Sequence, residues 1–254
     1  MNGASLTLGL VGLAALAGAS RRGSWSALHP TPETALILPE LDTGLRAVVL
    51  VDARLASQAR TLDELAARED CVLGFIRLSY PHDALERITT DCDDAGTESG
   101  PLEVYNAVAR KGWGPLTYDA ALWTVADMAD TSEQFNGYLV PDRNHVSTAA
   151  ENVWRYYAEK RKMDVDSRQI SDSCPKHGYP KPDPVLDRMY KAKMNAPAFK
   201  AIGALYERGL TLLGGMEEAF LSPTSRGGRR HPLDREDVEQ VFLSLGEKLF
   251  GGHF

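Results

Sequence analysis

Residues Leu102 to Ala129 read LEVYNAVARKGWGPLTYDAALWTVADMA, a pattern that predicts a strand, a glycine turn and a helix in succession. The β-favouring residues before the turn suit a strand that is buried on both faces. Gly112 and Gly114 can adopt backbone angles that other residues resist, and Pro115 suits the first turn of a helix. Apolar residues then recur at helical spacing, at Tyr118, Ala121, Leu122, Val125 and Ala129. Because the first N–H groups of a helix have no partner within it, this turn is a candidate phosphate site.

The turn is also compatible with a purely structural role. It lacks the Gly-Lys-Ser/Thr of a Walker loop and the complete G-x-G-x-x-G of a dinucleotide-binding loop. Many strand–turn–helix joints carry two glycines only because the chain must bend there. The residues of the turn therefore leave two interpretations open, a phosphate site and a plain bend.

The composition is typical of a globular protein with one sizeable core. The chain has 254 residues, of which 43% are hydrophobic and 25% are charged. A net charge of -7 argues against a general nucleic-acid binder, whose phosphate contacts need clustered Lys and Arg, although a local basic patch stays compatible with it. The three cysteines are few and widely separated, so we expect no disulfide framework and a reducing compartment such as the cytoplasm.

Further elements are predicted on both sides of the opening stretch. Buried strands are expected at Leu45–Val51, Cys71–Tyr80 and Gly137–Val140. Helical spacing predicts one helix over Leu55–Arg68 and a second that begins after Ser147, a favoured N-cap residue.

The two ends of the chain have a different texture. The apolar run within residues 5–19 is shorter than the ~20 residues that cross a bilayer, and it suits a helix docked on a partner, a membrane surface segment or a signal. Residues Ser24–Glu40 are rich in Pro, Ser and Thr and predict a linker. A second, Pro-rich linker is expected after residue 168, followed by helices at Ala198–Leu213, at Met216–Leu221 and after Asp234.

We predict no metal site. Cys174 and His177 are spaced as metal ligands can be, but no second pair with suitable spacing appears. Asp91, Asp93 and Asp94 lie close together, yet their spacing matches no calcium loop.

The order of elements across residues 45–162, together with ARKGWGPL at Ala109–Leu116, resembles the GNAT superfamily of N-acyltransferases. The segments Gly112–Asp119, Pro141–Ser147 and Ala150–Arg161 are most similar to GNAT-like proteins of tailed bacteriophages. The resemblance covers roughly half of the chain. It implies an α/β (α+β) fold with a mixed, mostly antiparallel central sheet flanked by helices. The implied organisation is an apolar segment and linker (1–40), a GNAT-like acyl-CoA-binding domain (41–168), and a Pro-rich linker with a helical C-terminal extension (169–254).

The resemblance also implies acetyl-CoA as a co-substrate. The backbone N–H groups of Gly112, Trp113 and Gly114 would bind its pyrophosphate, with Arg110 and Lys111 adding positive charge. The outer half of the strand would pair its backbone with the pantetheine arm, through Asn106, Val108 and Ala109. The chain departs from the family at Ala109, where Arg or Gln is usual unless Arg110 substitutes after a one-residue slip.

Three residues would carry the chemistry that the resemblance implies. Glu103 would take the proton from the amine, directly or through water. Tyr156 or Tyr157 would return a proton to the leaving thiolate. The later helix departs from the family pattern at Trp154, where a tyrosine is usual.

The implied function is an acyl-CoA-dependent N-acyltransferase, specifically an N-acetyltransferase, acting on a small amine, a protein amine or a modified nucleobase. The alternative is a phage virion structural or assembly protein that retains the fold without catalysis. Such a protein would dock to a membrane, a virion or a second copy through residues 5–19 and its C-terminal helix. The expected location is accordingly the cytoplasm, that of the host for a phage-encoded protein, or the virion.

Overall fold

Seven strands form one mixed sheet in the computed structural model, which describes residues 33–38, 45–60, 64–65, 68–80, 100–142, 146–169 and 183–221. The strands are β1 Thr34–Ile37, β2 Ala47–Asp52, β3 Val72–Ser79, β4 Gly100–Ala109, β5 Phe135–Val140, β6 Val165–Gln169 and β7 Arg188–Ala192. Their spatial order is β1-β2-β3-β4-β5-β7-β6. The pair β4–β5 is parallel, and the other neighbouring pairs are antiparallel.

Four helices accompany the sheet in the described part of the chain. They are α1 Ala53–Ala56, α2 Gly114–Thr131, α3 Thr148–Lys160 and α4 Pro197–Leu221, and a 3₁₀ turn at Glu69–Cys71 precedes β3. The predicted class, an α+β fold built on a mixed sheet with helices, is therefore confirmed. The predicted strands and the two helices after the glycine turn and after Ser147 are confirmed with small changes at their ends.

The helix α2 is the central helix of the fold. It packs against β2, β3, β4, β5 and β7, and it also contacts α3 and α4. Most of its side chains are buried as a result, which is typical of a helix that is apolar on nearly all sides. The start of α2 is thereby held against the sheet next to the end of β4.

The strands β4 and β5 separate part of the way along their length. Their last paired residues are Glu103 and Val140. Pro141 follows and has no N–H with which to continue the ladder. Beyond this point β4 is still paired with β3 as far as Ala109. The outer half of β4 therefore presents one backbone edge that β5 does not cover.

Two local predictions are wrong, and both errors have a tertiary cause. Thr34–Ile37, inside the predicted linker, is a buried strand that pairs antiparallel with β2. The predicted helix over Leu55–Arg68 is not continuous, because α1 ends at Ala56. The side chain of Arg68 then folds back, and its Nη1 donates to the Leu55 carbonyl at 3.2 Å.

The described sheet extends across both predicted boundaries, at residues 40 and 168. β1 and β7 lie outside residues 41–168, yet both belong to the sheet. The two helices predicted on either side of Gly214 and Gly215 are one continuous helix, α4. The apolar segment 5–19, the His177 region and the helix expected after Asp234 lie outside the described residues.

Candidate functional site

A cleft of about 420 Å³ opens where β4 separates from β5. Its floor is formed by Ala107–Ala109 at the end of β4 and by Ile76 of β3. One wall is the glycine turn with the first residues of α2, and the opposite wall is the N-terminal half of α3. Six of the eight predicted cofactor-binding residues line this cleft: Val108, Ala109, Arg110, Lys111, Gly112 and Gly114. Asn106 and Trp113 are not among the lining residues.

The backbone N–H groups of the glycine turn differ in whether they are already hydrogen-bonded. Gly112 has a φ of 91°, in the left-handed region that favours glycine. The N–H of Trp113 donates to the Arg110 carbonyl at 2.9 Å, so this predicted donor is already engaged. Within the part of the chain that the structure describes, the N–H groups of Gly112 and Gly114 have no hydrogen-bond acceptor. Two of the three N–H groups predicted for a pyrophosphate are therefore free to bind an anion.

The charge at this end of the cleft is positive. Lys111 is exposed, and Arg110 lines the cleft while its Nε donates to the Val72 carbonyl at 2.7 Å. The helix α2 has no side-chain cap at Trp113 and no acidic residue in its first turn. The positive end of the helix dipole is therefore uncompensated by a carboxylate on its own first turn.

Two glycines have opposite roles beside the cleft. A Cβ at Gly74 of β3 would lie 2.0 Å from Oγ1 of Thr117, so glycine is required for the first turn of α2 to lie against the sheet. A Cβ at Gly114 would meet no atom within 4 Å, because this position faces open space. This role of Gly74 was not predicted from the sequence, although a glycine inside a strong strand is a known signal of a close backbone approach.

Glu103 lies where the two parallel strands part. It is paired with Ser79 of β3 and with Val140 of β5, and it is only 4% exposed. It is not among the residues that line the cleft. The structure therefore places the predicted base at the end of the parallel pairing, behind the cleft surface.

The two predicted acids, Tyr156 and Tyr157, do not line the cleft either. The hydroxyl of Tyr157 donates to Oδ1 of Asp119 at 2.9 Å, and Nη1 of Arg161 donates to the same carboxylate at 3.2 Å. Burial, reinforced by the Asp119 charge, raises the pKa of Tyr157 well above its usual value of 10.0. Tyr156 is half-buried, with the Arg161 guanidinium carbon 5.9 Å from its ring centre. Tyr157 therefore joins α2 to α3 instead of facing the cleft.

Asp119 is the centre of that buried group. Its burial raises the pKa of the carboxyl above the usual value of 3.8, and Arg161 and the Tyr157 hydroxyl partly offset this. Arg161 also donates from Nε to Asp164 at 2.7 Å. No local sequence pattern reveals this group, because its members lie on two helices and the turn that follows α3.

Tyr118 lines the cleft and is a second residue whose role the sequence did not reveal. The helical spacing predicted only that it belongs to the apolar face of α2. Burial raises the pKa of its phenol above 10.0, and the Asp142 charge acts in the same direction. Tyr118 is therefore a neutral hydrogen-bond donor at neutral pH.

Comparisons of the chain with models of protein families, with curated proteins and with solved structures each return no match. Among the described residues, no group of three or more His, Cys, Asp and Glu side chains is arranged to hold a metal ion. No helix in the same part of the chain combines the length and the apolar character that crossing a membrane requires.

Proposed function

We propose that the protein is an acyl-CoA-dependent N-acyltransferase that moves an acetyl group from CoA to an amine. The observation that carries this proposal is the cleft where β4 leaves β5, because it combines three features on adjacent elements. These are an uncovered strand edge, a positively charged glycine turn, and a wall of small apolar residues from α3.

The glycine turn and the strand edge each suit one part of CoA, and the size of the cleft suits a small-molecule ligand. The N–H groups of Gly112 and Gly114, with Lys111 beside them, suit the pyrophosphate. The uncovered edge of β4 can pair with the amides of an extended arm, as a sheet edge pairs with a bound peptide. The cleft volume of about 420 Å³ is within the usual range for a small-molecule site.

The reaction needs a neutral amine, whose nitrogen attacks the thioester carbonyl carbon. The C–N bond forms, the C–S bond breaks, the nitrogen loses a proton and the thiolate gains one. Glu103 is the candidate base, acting through water because its side chain is not part of the cleft lining. Tyr157 is less suited to the role of acid, because its hydroxyl already donates to Asp119.

A ligand-binding experiment tests this proposal. Acetyl-CoA at millimolar concentration should raise the unfolding temperature by mass action, with about 2.7 kcal/mol of stabilisation at one hundred times the dissociation constant. Gly114→Leu should abolish the shift, because its side chain projects into open space at the cleft wall. The matched control is Gly214→Leu on α4, where a Cβ also meets no atom within 4 Å and the shift should persist.

A second variant keeps the test decisive if Gly114→Leu disturbs the helix start. Lys111→Glu changes only an exposed charge at the cleft mouth and should weaken the shift. Lys200→Glu, an exposed lysine of α4, is its control. A wild-type protein without a shift, or a shift that both cleft variants leave unchanged, would contradict the proposal. If acetyl-CoA does stabilise the wild-type protein, a screen of amine acceptors for release of free thiol would identify the second substrate.

The alternative of a non-catalytic virion or assembly protein stays a prediction. It depends on residues 5–19 and on the helix expected after Asp234, which lie outside the described residues. No contact among the described residues favours it over the acyltransferase.

A further inference from the structure

We infer that the Tyr118 hydroxyl is the side-chain group that recognises the pantetheine arm, an inference that rests on the proposed CoA-binding function. Tyr118 is on the second turn of α2 and is 94% buried, since only 6% of its surface is exposed. It nevertheless contributes to the lining of the cleft. Its ring is held in place by an edge-on contact with Trp154, with the ring centres 5.3 Å apart.

The Tyr118 hydroxyl makes no hydrogen bond within the part of the chain that the structure describes, and its oxygen is not one of the fully buried polar atoms, so it keeps contact with solvent. The other two hydroxyls among the described lining residues each make one hydrogen bond. Thr117 donates to the Trp113 carbonyl at 2.8 Å, and Oγ of Ser147 accepts from the Ala150 N–H at 3.2 Å. A ligand group that accepts a hydrogen bond from this hydroxyl replaces the water there and gains the modest net affinity of one hydrogen bond. Of these three hydroxyls, that of Tyr118 is the one with no hydrogen bond inside the described chain, while the Ser147 O–H can still donate.

The position of Tyr118 along α2 indicates which part of CoA it contacts. Tyr118 is four positions after Gly114, which corresponds to about 6 Å along the helix axis. The chemical group that follows the pyrophosphate in CoA is the pantoyl unit, which carries a hydroxyl and an amide carbonyl. Both can accept a hydrogen bond from a neutral phenol. Tyr118 would therefore distinguish CoA from nucleotides that offer only the phosphates to the turn.

The test measures how one substitution in the full chain changes the affinities for two ligands. CoA and 3′-phospho-ADP, which is CoA without its pantetheine arm, are titrated by calorimetry against wild type and Tyr118→Phe. Loss of one hydrogen bond should weaken CoA binding roughly threefold to tenfold and leave 3′-phospho-ADP binding unchanged. Tyr206→Phe is the matched control, since Tyr206 contacts Trp123 on α2 and is not among the cleft-lining residues.

Each outcome separates this inference from the proposed function. If wild type binds CoA and Tyr118→Phe binds it equally well, the role of Tyr118 is wrong while the proposed function stands. An equal loss for both ligands would place the effect at the phosphates or in the fold, and would also overturn the inference. If wild type binds neither ligand, the proposed function fails and the inference with it. Unfolding of each variant without ligand shows whether the fold is intact.

Discussion

Asp119 shows how a single residue can join three elements of this fold. Its carboxylate accepts a hydrogen bond from Tyr157 of α3 and two from Arg161, which follows α3 directly. The side chains of Asp119 and Arg161 are only 9% and 11% exposed. Removing one partner of such a buried pair leaves the other charge without compensation in a poorly solvated place.

Replacing Asp119 should therefore destabilise the protein more than replacing a half-buried acid of the same helix. Asp119→Asn keeps the volume and removes the charge, and we expect it to lower the free energy of unfolding by about 3 kcal/mol. Asp127→Asn is the matched control, because Asp127 pairs with Arg46 at 3.1 Å but is 32% exposed. Its cost should be below about 1 kcal/mol. Urea unfolding monitored by circular dichroism measures both free energies of unfolding. Equal losses would show that the buried Asp119–Arg161 pair stabilises the protein no more than the half-buried Asp127–Arg46 pair.

At the level of elements, α4 lies unusually close to β1, these being the last helix and the first strand of the described residues. A Cβ at Gly209 of α4 would lie 1.9 Å from the backbone oxygen of Leu36 in β1. The same two elements are joined where Arg208 donates from Nη1 to the Thr34 carbonyl. Because the obstructing atom belongs to the backbone of a buried strand, a change of side-chain rotamer cannot relieve the contact.

Gly209→Ala should accordingly separate α4 from β1, and we expect it to cost about 1–3 kcal/mol of unfolding free energy. Gly203→Ala is the control on the same helix, since its Cβ would meet Trp123 at an ordinary distance of 3.8 Å. That change should be neutral or stabilising by up to about 1 kcal/mol, because alanine favours a helix more than glycine does. Chemical denaturation of both variants measures the difference. A Gly209→Ala protein as stable as the control would mean that the helix can move away without loss.

At the level of the whole molecule, the sheet is completed by segments that are distant in sequence. β7 lies between β5 and β6, and it pairs with β6 from Val165 to Gln169. β1 covers the opposite end of the sheet and is itself covered by α4. A chain restricted to residues 41–168 would lack β1, β7 and α4, so β6 would lose its neighbour in the sheet.

We therefore expect a fragment of residues 41–168 to show no cooperative thermal transition. A fragment of residues 33–221 contains every described strand and helix, and it should retain one. Thermal melts followed by circular dichroism compare the two fragments. Cooperative melting of the shorter fragment would show that the region between β2 and β6 is independently stable.

The sequence predicted which residues share the cleft better than it predicted where the candidate catalytic side chains lie. The glycine turn and most of the predicted cofactor-binding residues do line one cleft. The predicted acids do not, because neighbouring residues such as Tyr156 and Tyr157 point in directions set by how a helix rotates against the sheet. Periodicity finds the buried face of a helix, but it does not distinguish a hydroxyl that faces Asp119 from one that faces the cleft.

The sequence by itself determined the local elements: a strand, a glycine turn and a helix over Leu102–Ala129, and a helix start at Ser147. These depend on backbone preferences and capping groups that act over a few residues. Only the tertiary structure decided that Thr34–Ile37 is a strand, that β7 enters the sheet before β6, and that Tyr118 lines the cleft. Those outcomes depend on contacts between residues far apart in the chain, whose energies local patterns do not encode.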